Sequence, residues 1–77
     1  MILRRTAEKA VERWKVGGAF SFRSGDVTFV IDPSKVLYII QHDLTIKFGL
    51  VKAVKYTPYA EALRIETVNG NLSFDIQ

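Results

Sequence analysis

Apolar positions in the first sixteen residues recur at helical spacing. Placed at 100° per residue, Leu3, Ala7, Ala10, Val11 and Trp14 fall in one narrow arc, and Arg4, Arg5, Glu8, Lys9, Glu12, Arg13 and Lys15 fall opposite. The pattern predicts an amphipathic helix over about residues 3–16, with Trp14 anchoring it to whatever it packs on. Gly17-Gly18 ends it, because glycine tolerates the left-handed cap conformation. Thr6 is the expected N-cap. That choice leaves Met1 to Arg5 as a short lead-in strand and puts Glu8 in the first turn, where it suits the helix dipole.

From about residue 19 the period drops to two, and the rest of the chain reads as a β-meander over about residues 19–77. Phe20, Phe22, Val27, Phe29 and Ile31 alternate around a hairpin turn read at Ser24-Gly25. That turn pairs Phe22 with Val27, Ser21 with Thr28 and Phe20 with Phe29. Asp32-Pro33-Ser34-Lys35 is a turn sequence with proline at its second position. Val36 to Ile40 is apolar on both faces, which predicts a central strand with cover on both sides. A turn at His42-Asp43 leads into Leu44 to Phe48, and Gly49 is expected to bend or bulge the chain before a strand from Val51 to Tyr56. Thr57-Pro58 ends that strand, and Tyr59-Ala60-Glu61 reads as a loop.

The last hairpin carries the strongest local signal. With Asn69-Gly70 as its turn, Val68 faces Asn71, Thr67 faces Leu72, Ile65 faces Phe74 and Leu63 faces Ile76. Arg64 then lies opposite Asp75 on the other face. Leu63, Ile65, Thr67, Leu72, Phe74 and Ile76 are thereby committed to one side of the sheet.

One helix and about six short strands joined by short turns predict an α+β fold. We expect the N-terminal amphipathic helix to pack on a strongly bent antiparallel sheet or small barrel. In outline this is similar to Sm-like RNA-binding barrels, and the run from Leu44 to Ile76 to pleckstrin-homology-like domains. The paired loop signatures of the former and the closing helix of the latter are not found in these residues, so neither outline licenses a function.

Composition adds constraints. Seventy-seven residues, 48% of them hydrophobic and 25% charged, suit a single ordered domain. There are no cysteines, which removes disulfide staples, thiol nucleophiles and cysteine-bound metal. A small unstapled domain needs a well-packed core or a partner, so a homo-oligomer or a protein partner is expected. Met1-Ile2-Leu3-Arg4-Arg5 is no signal peptide and no apolar run is long enough for a membrane span, which points to a cytoplasmic location. The frequent β-branched residues, the single methionine and the short turns suit a thermophile.

Catalysis is not expected. His42 is the only histidine, and adjacent strand residues such as His42 and Asp43 point to opposite faces. Asp26, Asp32 and Asp43 fall at turns, where carboxylates cap backbone N–H groups; a hard cation would require those turns to share one rim. No phosphate-cradle or metalloprotease motif occurs, and no cofactor is implied.

Charge points elsewhere. The net charge is +3, and residues 1–56 hold ten Lys/Arg against five Asp/Glu. Lys35, Lys47, Lys52 and Lys55 interleave with Tyr38, Tyr56 and Tyr59. Lysines that neutralise phosphates beside tyrosines that stack bases form the chemistry of a single-stranded nucleic-acid surface. The leading expectation is therefore a non-enzymatic module that binds nucleic acid through these seven residues. The alternative is a structural or regulatory module that assembles as a homo-oligomer through strand edges or the helix.

Overall fold

The amphipathic stripe and the period-two segments form the elements their spacing dictates. The computed structural model describes residues 1–59 and 61–77. Its order is α1 (Arg4–Val16), β1 (Phe20–Ser24), β2 (Val27–Ile31), β3 (Val36–Gln41), β4 (Leu44–Thr57), β5 (Ala62–Thr67) and β6 (Gly70–Asp75). All six strands form one antiparallel sheet in chain order. The sheet curls into a half-barrel with the helix packed on it, which is the expected α+β architecture. Ala60, part of the expected Tyr59–Glu61 loop, lies outside the described residues. No described helix is long and apolar enough to cross a membrane.

Alanine at two successive inward positions lets α1 lie close to the sheet. Ala7 and Ala10 are fully buried, while Val11 and Trp14 pack on the core from its margin. Leu3, which belongs to the same stripe in sequence, is exposed. At the other end Gly17 takes φ 76°, and the N–H groups of Gly17 and Gly18 bond the carbonyls of Trp14 and Arg13. These are the paired bonds of a Schellman motif, which satisfies two of the carbonyls a helix end leaves open.

The helix starts earlier than its capping chemistry suggested. Leu3, and not Thr6, is the N-cap, and it contributes no side-chain bond. The reason is tertiary. Ile2 donates its N–H to the Asp75 carbonyl (3.0 Å) and accepts from Gln77 N–H (2.9 Å), forming a parallel bridge to Ile76. That bridge pins the chain, and the helix begins two residues later. Arg4 and Arg5 therefore sit in the first turn with no acidic residue among them, against the dipole. Arg4 meets Glu61 at 4.0 Å, an exposed pair. Replacing Arg5→Glu should raise stability by about 0.3–1 kcal/mol, and would also create a favourable pair with Lys9 one turn on. A urea midpoint unchanged or lowered in that variant would refute this account of the helix start.

Both terminal hairpins keep their expected faces but shift register by two. β1 and β2 turn at Gly25-Asp26, so that Phe22 faces Phe29 and Phe20 faces Ile31. Gly25 has φ 66° at the first central position, the one a type II′ turn reserves for glycine. β5 and β6 turn at Val68-Asn69, pairing Ile65 with Leu72, Leu63 with Phe74 and Arg64 with Ser73; Asp75 faces Ala62. A type I′ turn at Asn69-Gly70 would need positive φ at both, and only Gly70 has it. Instead, the Thr67 hydroxyl accepts the Asn69 N–H (3.1 Å) and donates to the Gly70 carbonyl (2.7 Å). The tip is also tied to β4: Val68 N–H bonds the Leu50 carbonyl and the Asn69 amide bonds the Phe48 carbonyl (2.7 Å).

Leu44–Phe48 and Val51–Tyr56 form one long strand, not two. β4 pairs with β3 over its first half and with β5 over its second, with irregularities opposite Leu37/Tyr38 and between Val51 and Ala53. Its Gly49 lies under the Asn69 side chain. The core runs along the concave side, from Ile2, Ala7 and Ala10 through Ile31, Leu37, Val51, Val54, Leu63 and Ile65. Phe74 of β6 crosses that side to Phe22 and Phe29 at edge-to-face distances of 5.1 and 4.7 Å, drawing the two ends of the sheet together.

Candidate functional site

Alternation and register determine which side chains share the convex face. Across β1 to β4, Val30 lies between Ser21 and Tyr38, and Tyr38 lies opposite Lys47. The next row runs Arg23, Thr28, Ile40, Thr45. Val36 lies opposite Leu50 at the end of the same face. Their neighbours in sequence, Phe22, Phe29, Ile31 and Leu37, are buried on the concave side. Because α1 contacts β4 and β1 from the concave side, no helix covers this face. The doubly apolar β3 is thus central in the sheet but covered on one side only. Among the described residues the part of this face up to Leu50 of β4 holds Arg23 and Lys47 and no carboxylate: the described acids lie on α1, in turns or on β5 and β6.

The seven residues expected to bind do not form one patch. Tyr38 and Lys47 are direct cross-strand partners, on the side that the alternation of β3 and β4 allowed them to share. The others lie apart from that pair. Tyr56 is carried to the concave side opposite Leu63 and packs on the core. Two irregularities set this phase: the extra residue Phe48 turns Gly49 and Val51 inward, and the extra residue Lys52 reverses the phase again, so that Val54 and Tyr56 turn inward and Lys55 outward. Lys55 faces Arg64 and lies 3.4 Å from the Glu66 carboxylate, so its charge is already met. Lys52 is exposed at the irregularity itself. Tyr59 is fully exposed in the turn after β4. Lys35, at φ 68° in the turn closed by Asp32, sits 5.2 Å over the Trp14 ring as a cation–π partner.

Arg23, Thr28, Ile40 and Thr45 join the face without having been singled out in the sequence. Cross-strand register supplies them, and that register depends on where the first hairpin turns. The turn carboxylates behave unevenly. Asp32 accepts the Val36 N–H (3.0 Å), as turn chemistry predicts, whereas Asp26 stands 4.0 Å from His42 with both side chains exposed. No group of three metal-ligating side chains comes together among the described residues.

No family model, curated protein or solved structure matches this chain. The face must be read from its own chemistry.

Proposed function

We propose that the chain is a non-enzymatic binding module that takes single-stranded nucleic acid on the convex face of β1–β4. One observation carries the reading: Tyr38 lies at the centre of an uncovered sheet face beside Lys47, with Arg23 on the next row and no carboxylate there among the described residues. A base stacked on Tyr38 would place its phosphates within reach of Lys47 and Arg23, and stacking does not depend on base identity. Lys52, Lys55, Lys35, Tyr56 and Tyr59 contribute little on this reading, because they lie off the face or already have partners.

The expected result is salt-sensitive binding of fluorescein-labelled oligo(dT) of about 15 nucleotides, read by anisotropy. Tyr38→Ala should weaken it by about 1–3 kcal/mol, the worth of one stacked base. Lys47→Glu should reduce the salt slope by about one. Lys55→Glu should change little. Binding that is absent at low salt, or equally affected by Lys47→Glu and Lys55→Glu, would dispose of the proposal.

A second reading rests on Val30, Val36, Ile40 and Leu50, the aliphatic part of the same face. Two copies could bury these against each other as a homo-oligomer. A symmetric contact would also bring Arg23 and Lys47 of both copies together with no acid to meet them, which disfavours it. Light scattering separates the two readings: a strict monomer leaves only the first.

A further inference from the structure

The sheet has an open seam. β1 is its first strand and pairs only with β2, while the far edge at β6 is engaged by Ile2. Between β1 and α1 runs a groove of about 590 Å³, with Thr6, Lys9, Ala10 and Arg13 on one wall and Phe20 to Arg23 on the other. The backbone of β1 is directional here. A two-residue turn closes on a hydrogen-bonded pair, Ser24 with Val27, so Phe20, Phe22 and Ser24 spend their bonds on β2. The N–H and C=O groups of Ser21 and Arg23 point the other way, into the seam. Unpaired strand groups of this kind are a template for another strand.

The side chains around the groove state what kind of strand. Lys9, Arg13 and Arg23 are exposed, none lies in an ion pair among the described residues, and no Asp or Glu lines the groove. Met1 and Leu3 are exposed apolar side chains on its rim, and Phe20 is half-buried within it. Ala10, with no side chain beyond Cβ, keeps the floor clear. We infer that the seam accepts an extended acidic segment of a partner protein as a seventh strand on β1. The partner's backbone bonds Ser21 and Arg23, its alternate carboxylates on the α1 side meet Lys9 and Arg13, and the side chains between them lie beside Arg23 on the convex side. A second copy of this chain fits poorly, since pairing β1 with β1 would bring two sets of these cations together. The five residues of β1 offer a contact about 17 Å long, enough for a peptide of five or six residues.

The test uses a fluorescein-labelled peptide of alternating Asp/Glu and Val, and its Lys counterpart, with the full 77-residue chain. The acidic peptide should bind, the lysine peptide should not, and added salt should weaken the complex. Lys9→Glu/Arg13→Glu, a double change at exposed positions, should weaken it roughly tenfold or more. Ser21→Pro removes an edge N–H that β2 does not use and should abolish binding while the far-UV circular dichroism stays native. Amide exchange at Ser21 and Arg23 should slow on binding, and Lys47→Glu should leave all of this unchanged. Equal binding of the two peptides, or Ser21 and Arg23 amides that are unaffected by the acidic peptide, would overturn the inference. So would an oligo(dT) that protects the same two amides, or a dimer in which they are protected before peptide is added. Because the convex face is probed by Lys47 and the seam by Lys9 and Arg13, either proposal can fail alone.

Discussion

Replacing Phe74→Ala should cost about 3–5 kcal/mol and leave the chain largely unfolded near its present midpoint. The ring is buried at the meeting of the two ends of the sheet, edge-on to Phe22 and Phe29. Truncation removes its buried area and two aromatic contacts, each worth about 0.5–1.5 kcal/mol beyond area alone. It also leaves a cavity that the curled sheet cannot close without moving β6. A domain of this size has about 4–12 kcal/mol of stability in all, so one side chain here is a large share of it. Thermal unfolding should show the midpoint lowered by about 12 °C or more. Leu72→Ala, on the same strand but only half-buried, should cost less. A loss below about 1 kcal/mol at Phe74 would mean that the aromatic contact does not hold the half-barrel shut.

Gly49→Ala should be the next most damaging change, at about 1–3 kcal/mol. Gly49 has φ 151°, a conformation L side chains rarely adopt. A Cβ there would lie 2.6 Å from the Asn69 amide nitrogen, which is the atom that donates to the Phe48 carbonyl. The substitution therefore strains the backbone of β4 and displaces the bond that ties the β5–β6 turn to it. The two causes can be separated. Asn69→Ala alone loses the bond, about 0.5–1.5 kcal/mol, and adding Gly49→Ala to it should cost less than Gly49→Ala in the native background. Strict additivity in a urea-unfolding cycle would contradict the proposed contact.

Those two sites also mark where reading the chain alone stops. The faces of both hairpins follow from period two, and a shift of two residues preserves them: Leu63, Ile65, Thr67, Phe74 and Ile76 are buried although every pair differs from the expected one. Register itself is not local. Asn69-Gly70 has the composition of a type I′ turn, yet Asn69 bonds a strand twenty-one residues away, and that contact moves the turn back by one residue. The helix behaves likewise. Its apolar stripe and glycine stop are properties of residues 3–18, whereas its first residue is set by the bridge from Ile2 to Ile76.

For the candidate site the division is sharper. Tyr38 and Lys47 were legible together, because alternation is regular from Tyr38 to Gln41 and from Leu44 to Lys47, and the irregularity falls just beyond the pair. The sides of Tyr56 and Lys55 were not, because the phase of β4 reverses at Phe48 and again at Lys52, and nothing in Val51-Lys52-Ala53 announces the second reversal. The seam along β1 was legible in neither its edge nor its charge. Lys9 and Arg13 look like the solvated face of a helix until the curl of the sheet brings β1 beside them. By itself the sequence determined the helix, the strands and which side of most strands faces the core, since these depend on propensity and period. The register, the phase of β4 and the pairing of helix charges with a free strand edge were decided only by the tertiary structure, since each depends on contacts between residues far apart in the chain.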